Sequence, residues 1–179
     1  IQVHHEKNQG GKKMKQEYSD IANYFQDLAG KHKEIKEFKR YELDELLSNA
    51  MFTSYPALVL EGFDFDFSGS TPDNVLKNRT GGFNIVIPCN INNAEERTRT
   101  LDHLETIGDQ FIMKIAKDKK ERHPLLATFD LSSVEGIHFA NPVHGIVFCR
   151  YTFTLRTKIV EDLSVWAVSY THLTLPTIA

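Results

Sequence analysis

Two aspartates invite a chemical reading before anything else in this chain. Asp64 and Asp66 lie in Phe63-Asp-Phe-Asp-Phe67. A spacing of two on an extended strand puts both carboxylates on one face. Such a pair can hold a divalent cation or divide acid and base duties, as in a small metal-dependent hydrolase or nuclease. The plainer reading is a half-buried strand with its acidic side in water, and no third ligand follows at useful spacing. Cys89 and Cys149 are the two cysteines. They allow at most one disulfide and suit small buried hydrophobes in a reducing compartment. Combining them with His138 as metal ligands needs a fold that spacing alone does not supply. His32, His103, His123, His138 and His144 form no His-x-x-x-His pattern of the sort zinc sites use. Gly81-Gly82 after Arg79-Thr80 could cradle a phosphate through backbone amides, but a strand-entry turn explains it more simply. Nucleophile-elbow, phosphate-loop and dinucleotide-fingerprint motifs do not occur. No catalytic, cofactor or metal residue is therefore assigned, and the chain is expected not to be an enzyme.

A second set carries recognition chemistry. Arg150, Thr152, Thr154 and Arg156 alternate with Val147, Cys149, Tyr151, Phe153 and Leu155. That pattern makes a strand over Ile146 to Ile159 with one apolar and one polar face. The polar face either meets solvent or meets a neighbouring subunit, and these four residues are the candidate interface.

The elements that must position these side chains are legible as periodicities. Tyr18, Ile21, Ala22, Phe25, Leu28 and Ala29 predict a helix over residues 15–30, stopped at Gly30. Lys31 to Arg40 is charged and reads as a solvated connection. Leu43, Leu46 and Leu47 suggest a short helix ending near Asn49. Tyr55-Pro56 opens a long extended segment, Ala57 to Phe67. Ser68 to Thr80 reads as a polar loop, and Phe83 to Ile91 as a strand with Pro88 at an edge or bulge. Asn92-Asn93 can cap a helix over 94–120, lined by Leu101, Leu104, Gly108, Phe111, Ile112 and Ile115. Acids begin this helix and lysines end it, matching its macrodipole. Ala127 to Leu131 and Gly136 to Phe139 read as short strands. The order predicts an α+β domain: a mostly antiparallel sheet with the long helix and the N-terminal helix packed on one face.

Composition narrows the function classes. The 179 residues carry a formal net charge of −3. This speaks against a free-standing nucleic-acid binder, so no direct sequence-specific nucleic-acid partner is expected. No apolar run reaches the ~18–20 residues of a membrane-spanning helix, so no membrane partner is expected either.

The two ends have a character of their own. Val168-Ser-Tyr-Thr-His-Leu-Thr-Leu-Pro-Thr-Ile-Ala179 resembles translated sequencing adapter. Met14 follows Gly10-Gly11-Lys12-Lys13, and codons for Gln9-Gly-Gly-Lys12 can spell a purine-rich ribosome-binding site just upstream of a start codon. The expectation is a fragment of an environmental DNA assembly: residues 1–13 translated from upstream sequence, residues 14–167 one native domain, residues 168–179 an artefact. That window is roughly 150 residues, the size of one domain.

Within the window, the order of features resembles the tail-terminator or tail-completion (neck) proteins of tailed bacteriophages. An N-terminal helix precedes a strand introduced by an aromatic-Pro pair, here Tyr55-Pro56-Ala-Leu-Val-Leu-Glu61. A strand like Phe83-Asn-Ile-Val-Ile-Pro88, a long helix like Arg97 to Lys120 and a long strand like Val147 to Leu155 follow. The likeness covers most of residues 14–160 as an order of elements, with no diagnostic residue to transfer. It implies a structural virion protein, assembled in the bacterial host cytoplasm. Its partners would be itself, in a homo-oligomeric ring, and other phage tail or neck proteins, with no cofactor. The rival expectations are a hydrolase built on Asp64 and Asp66 and a host ligand-binding module.

Overall fold

A computed structural model describes residues 17–48, 51–71 and 74–159. The expected upstream leader and adapter-like tail lie outside the described residues. Helices α1 (Tyr18–Lys31), α2 (Leu43–Ser48) and α3 (Ala94–Lys120) combine with strands β1 (Glu37–Arg40), β2 (Ala57–Leu60), β3 (Asp64–Ser68), β4 (Leu76–Pro88), β5 (Glu135–Asn141) and β6 (Ile146–Lys158). The strands form one sheet in the order β1-β2-β4-β6-β5, with β3 paired to β4 beside that path. The β1–β2 pair is parallel and the others are antiparallel. This is the expected α+β domain, with α1 and α3 on one face.

The frame is the pairing of the thirteen-residue strands β4 and β6, which runs from Leu76 opposite Lys158 to Pro88 opposite Ile146. On its other edge β4 is shared. Thr80 to Leu76 pairs with β3, and Phe83 to Val86 pairs with β2. Gly81 and Gly82 sit between these two stretches, inside the strand. A Cβ on Gly82 would strike the Tyr151 carbonyl, and one on Gly81 would strike the Phe63 ring. Here glycine marks close approach inside a strand rather than a turn.

The helix-covered face is one apolar core. Phe83 is its hub: its ring lies 5.4 Å from Phe25, 5.6 Å from Phe111 and 5.2 Å from Tyr151, the last nearly parallel. Burying a phenylalanine contributes about 1.5–3 kcal/mol, and Phe25, Phe83, Phe111, Phe129 and Phe153 are all fully buried here. Gly108 lets α3 lie flat on β6, because a Cβ there would collide with the Tyr151 ring. Asn93 caps α3, accepting a hydrogen bond from the Glu96 amide at 3.0 Å. Buried Asp118 ties α3 to α1. The Tyr24 hydroxyl donates to it at 2.9 Å, and Lys114 pairs with it from the turn before. Burial pushes Asp118 up, but the Lys114 and Tyr24 hydrogen bonds prevail and its pKa lies below the ordinary value.

The opposite face holds a smaller core of Leu46, Ala57, Val59, Val86, Ile146 and Phe148, roofed by α2 and the segment around Phe52 and Tyr55. Asn141, His144 and Glu37 help to hold the roof. Asn141 Nδ2 donates to the Leu47 carbonyl at 2.6 Å, His144 Nε2 lies 3.0 Å from the Ser48 carbonyl, and Glu37 accepts from the amides of Thr53 and Ser54 at 2.7 and 2.9 Å. The Tyr55–Pro56 bond in this segment is cis.

Four local expectations need correction. The charged stretch Lys31–Arg40 contains a strand, because Phe38 finds apolar cover and β2 offers a pairing edge. The extended run Ala57–Phe67 breaks at Glu61–Phe63 into β2 and β3. The stretch read as a loop over Ser68–Thr80 is strand from Leu76 onward, since β3 and β6 flank it on both sides. Ala127–Leu131 forms turns, with 3-10 helices at Pro124–Leu126 and Leu131–Ser133, not a strand.

Candidate interface on the open half of the sheet

Alternation along β4 and β6 sends Asn78, Thr80, Asn84, Arg150, Thr152, Thr154 and Arg156 to the face opposite α1 and α3. The α2 roof covers one half of that face and stops at a buried polar cluster. Glu61, 3% exposed, takes both branches of the Arg150 guanidinium: Nε at 2.8 Å to Oε1 and Nη2 at 2.7 Å to Oε2. Asn84, fully buried, donates to the same Oε1 at 2.7 Å. Asn84 and Arg150 are register partners, and Glu61 follows β2 directly, so three strands assemble the cluster. The Glu61 hydrogen bonds, outweighing partial burial, raise the Arg150 pKa further. A fork-shaped, charge-assisted pair of this kind is geometrically specific.

Beyond that border the face is open and polar. Asn78 Nδ2 donates to Asp66 at 2.6 Å and to the Ser68 hydroxyl at 3.2 Å. The Thr80 and Thr154 hydroxyls lie 3.1 Å apart. Asp64 is the register partner of Thr80, and Arg156 that of Asn78, so the rows Asp64-Thr80-Thr154 and Asp66-Asn78-Arg156 each cross three strands. The lower edge of β6 is closed by Thr128, whose hydroxyl donates to the Arg156 carbonyl at 2.7 Å and accepts from its amide at 2.8 Å.

The four candidate interface residues thus separate by role. Arg150 holds the structural ion pair at the border. Thr152, Thr154 and Arg156 stand on the open half, where hydroxyls and a guanidinium can meet a polar protein surface. Asp64 and Asp66 do share a face, with Asp66 engaged by Asn78. Among the described residues, no group of three His, Cys, Asp or Glu side chains is arranged to hold a metal ion. Cys89 and Cys149 are free thiols buried in the helix-side core. Burial pushes Cys149 up. His138, the register partner of Cys149, instead meets Glu105 on α3 at 3.0 Å. Gly81 and Gly82 are buried in mid-strand and offer no open amide cradle.

Glu61 and Asn84 escaped the reading of the sequence. Their signal was present: one acid closes the run Ala57-Leu-Val-Leu60, and one amide interrupts Phe83 to Ile87. A polar residue inside a strand buried on both faces implies a buried partner. Among the described residues no helix is long and apolar enough to cross a membrane. Neither a protein-family model nor a curated protein matches this chain.

Proposed function

We propose that this chain is a structural virion protein of a tailed phage or prophage, a tail terminator or head-tail connector that acts by forming a ring and docking to the tail tube. In this reading its work is done by shape and self-contact, not by bond-making. The carrying observation is the form of the sheet. It ends in β5 on one flank and in β1 and β3 on the other, and β3 and most of β5 are exposed. Open strand edges are surfaces that proteins either protect or pair. In the ring reading one flank of each copy meets the different flank of the next, a head-to-tail contact that closes into a ring when its rotation permits. The open polar half of the sheet, with Thr152, Thr154 and Arg156, is a surface for neighbouring tail or neck proteins. The phage assignment rests on the order of elements, from the Tyr55-Pro56 strand entry to the long α3 and β6.

Sedimentation and negative-stain microscopy of the full chain test the reading. Rings of uniform stoichiometry at tens of micromolar are expected, with portal, tail-tube and tape-measure genes beside the coding sequence. A strict monomer at those concentrations overturns the ring, and a locus lacking those genes overturns the phage assignment.

A further inference from the structure

We propose that the groove between β3 and the start of α1 receives the acidic flank of α3 from a second copy of this chain. The inference rests on the ring reading and supplies its polarity.

The groove has a volume of about 370 Å³, and its lining includes Tyr18, Arg40, Phe63, Phe65, Lys77 and Arg79. It alternates cations with rings. Lys77 Nζ lies 3.6 Å from the centre of the Phe65 ring, and the Arg40 guanidinium lies 5.1 Å from that of Tyr18. Arg79 is only 9% exposed, and among the described residues its guanidinium makes one hydrogen bond, a long one of 3.3 Å to the Thr157 hydroxyl. Among the described residues, none of these three cations forms an ion pair, whereas nearby Lys39 pairs with Glu37 and Arg150 with Glu61. One carboxylate, Glu42, also lines the groove, which leaves an excess of positive charge. A nearly buried arginine with most of its donors unused favours a carboxylate partner.

The complementary surface is on the far flank of the same molecule. One side of α3 faces the connection that follows α1, through His103 with Glu34 at 2.7 Å and His32 with Gln110 at 2.8 Å. Another side carries Asp102, Glu105, Asp109 and Met113, spaced by three and four residues and all exposed. Glu105 reaches His138 of β5 at 3.0 Å, which ties this stripe to the β5 edge. The sheet order puts β5 opposite β1 and β3. One flank is thus cationic and aromatic, and the other is acidic.

Apolar surface accompanies the charge on both flanks. Phe65 and Phe67 are 57% and 59% exposed beside the groove, and Met113 is 64% exposed at the end of the acidic stripe. Aromatic, methionine and arginine side chains are the residues enriched at protein interfaces. Opposite charge across such a contact sets register and direction. A second copy seated this way leaves its own groove free for a third.

Charge reversal in the full chain is the test. Arg40→Glu with Lys77→Glu makes both flanks acidic, and Glu105→Lys with Asp109→Lys makes both basic. Each double variant alone is expected to associate more than about tenfold more weakly than the unaltered chain. Mixed in equal amounts, the two should co-assemble. If both reversed variants assemble as well as the parent, this interface is wrong and the ring reading survives. If the parent never assembles, the ring reading fails and takes this inference with it. Circular dichroism checks that the variants fold. Should either misfold, salt titration of the parent decides: assembly must weaken as ionic strength rises, and salt-independent assembly overturns the proposal.

Discussion

The two faces of the sheet are built from the same strands yet have different fates. The face under α1 and α3 is apolar from Phe83 to Ile87 on β4 and from Val147 to Leu155 on β6, with Lys77 and Arg79 only at its β3 end, and its rings pack edge to face and face to face. The other face is apolar only where α2 and the segment before β2 return over it. Past the Glu61-Asn84-Arg150 border it becomes Thr, Asn, Asp and Arg. A strand's alternation decides which side chains share a face. Whether that face is roofed depends on where the chain goes next.

Substitutions on either side of that border break or sharpen the contrast. Phe83→Ala removes the ring that touches α1, α3 and β6 at once and should cost about 3–5 kcal/mol in denaturant unfolding. A cost near zero would mean that the helix-side core is not the main source of stability. Glu61→Ala strands Arg150 and Asn84 at the border. Water partly reaches Arg150, so roughly 2–3 kcal/mol is expected, below the full cost of breaking a buried pair. The Glu61→Met, Arg150→Met double variant should recover most of that loss. If the double change is as damaging as the sum of the singles, the pair is not the coupled unit drawn here.

Acid should loosen the α2 roof while the helix-side core still holds. Burial pushes the Glu37 carboxyl up, but its bonds to Lys39, Ser54 and Thr53 win and hold it at about 2, against an ordinary 4.5. A depressed folded pKa gives stability that is complete above the ordinary value. That stability fades as pH falls through the interval down to about 2. Protection factors of the amides of residues 51–55, with the intrinsic pH dependence of exchange divided out, should therefore fall across that interval in the parent and stay constant in Glu37→Gln. A parent with no acid response at these amides would refute the role given to Glu37. The smallest effect belongs to the open half. Thr154→Val should alter unfolding by no more than about 0.5 kcal/mol, as surface changes usually do. If sedimentation of this variant shifts while its unfolding does not, the open half is a contact surface. A large loss of stability would place Thr154 in a structural network instead.

How much could be read in advance varies with the range of the interactions. α3 was legible end to end, because a 27-residue helix repeats its apolar signal many times and carries its own cap in Asn93. The long strand β6 was legible through strict alternation. β1 was not: Glu37-Phe-Lys-Arg40 is mostly charged, and only pairing with β2 makes it a strand. Leu76–Thr80 was hidden in the same way, since its polar side chains gain order from β3 and β6 rather than from local preference. The candidate interface was half legible. Alternation put Arg150 with Thr152, Thr154 and Arg156, but spacing cannot say that Glu61 claims the first of them.

The sequence by itself determined the periodic elements, the face on which each side chain falls and the ordinary acidity of the whole, because these depend on neighbours a few residues apart. Tertiary structure alone decided which half of the outer face is roofed and which charges are consumed in pairs. Those outcomes depend on contacts between residues as distant as Glu61 and Arg150, which only the folded chain brings within 3 Å.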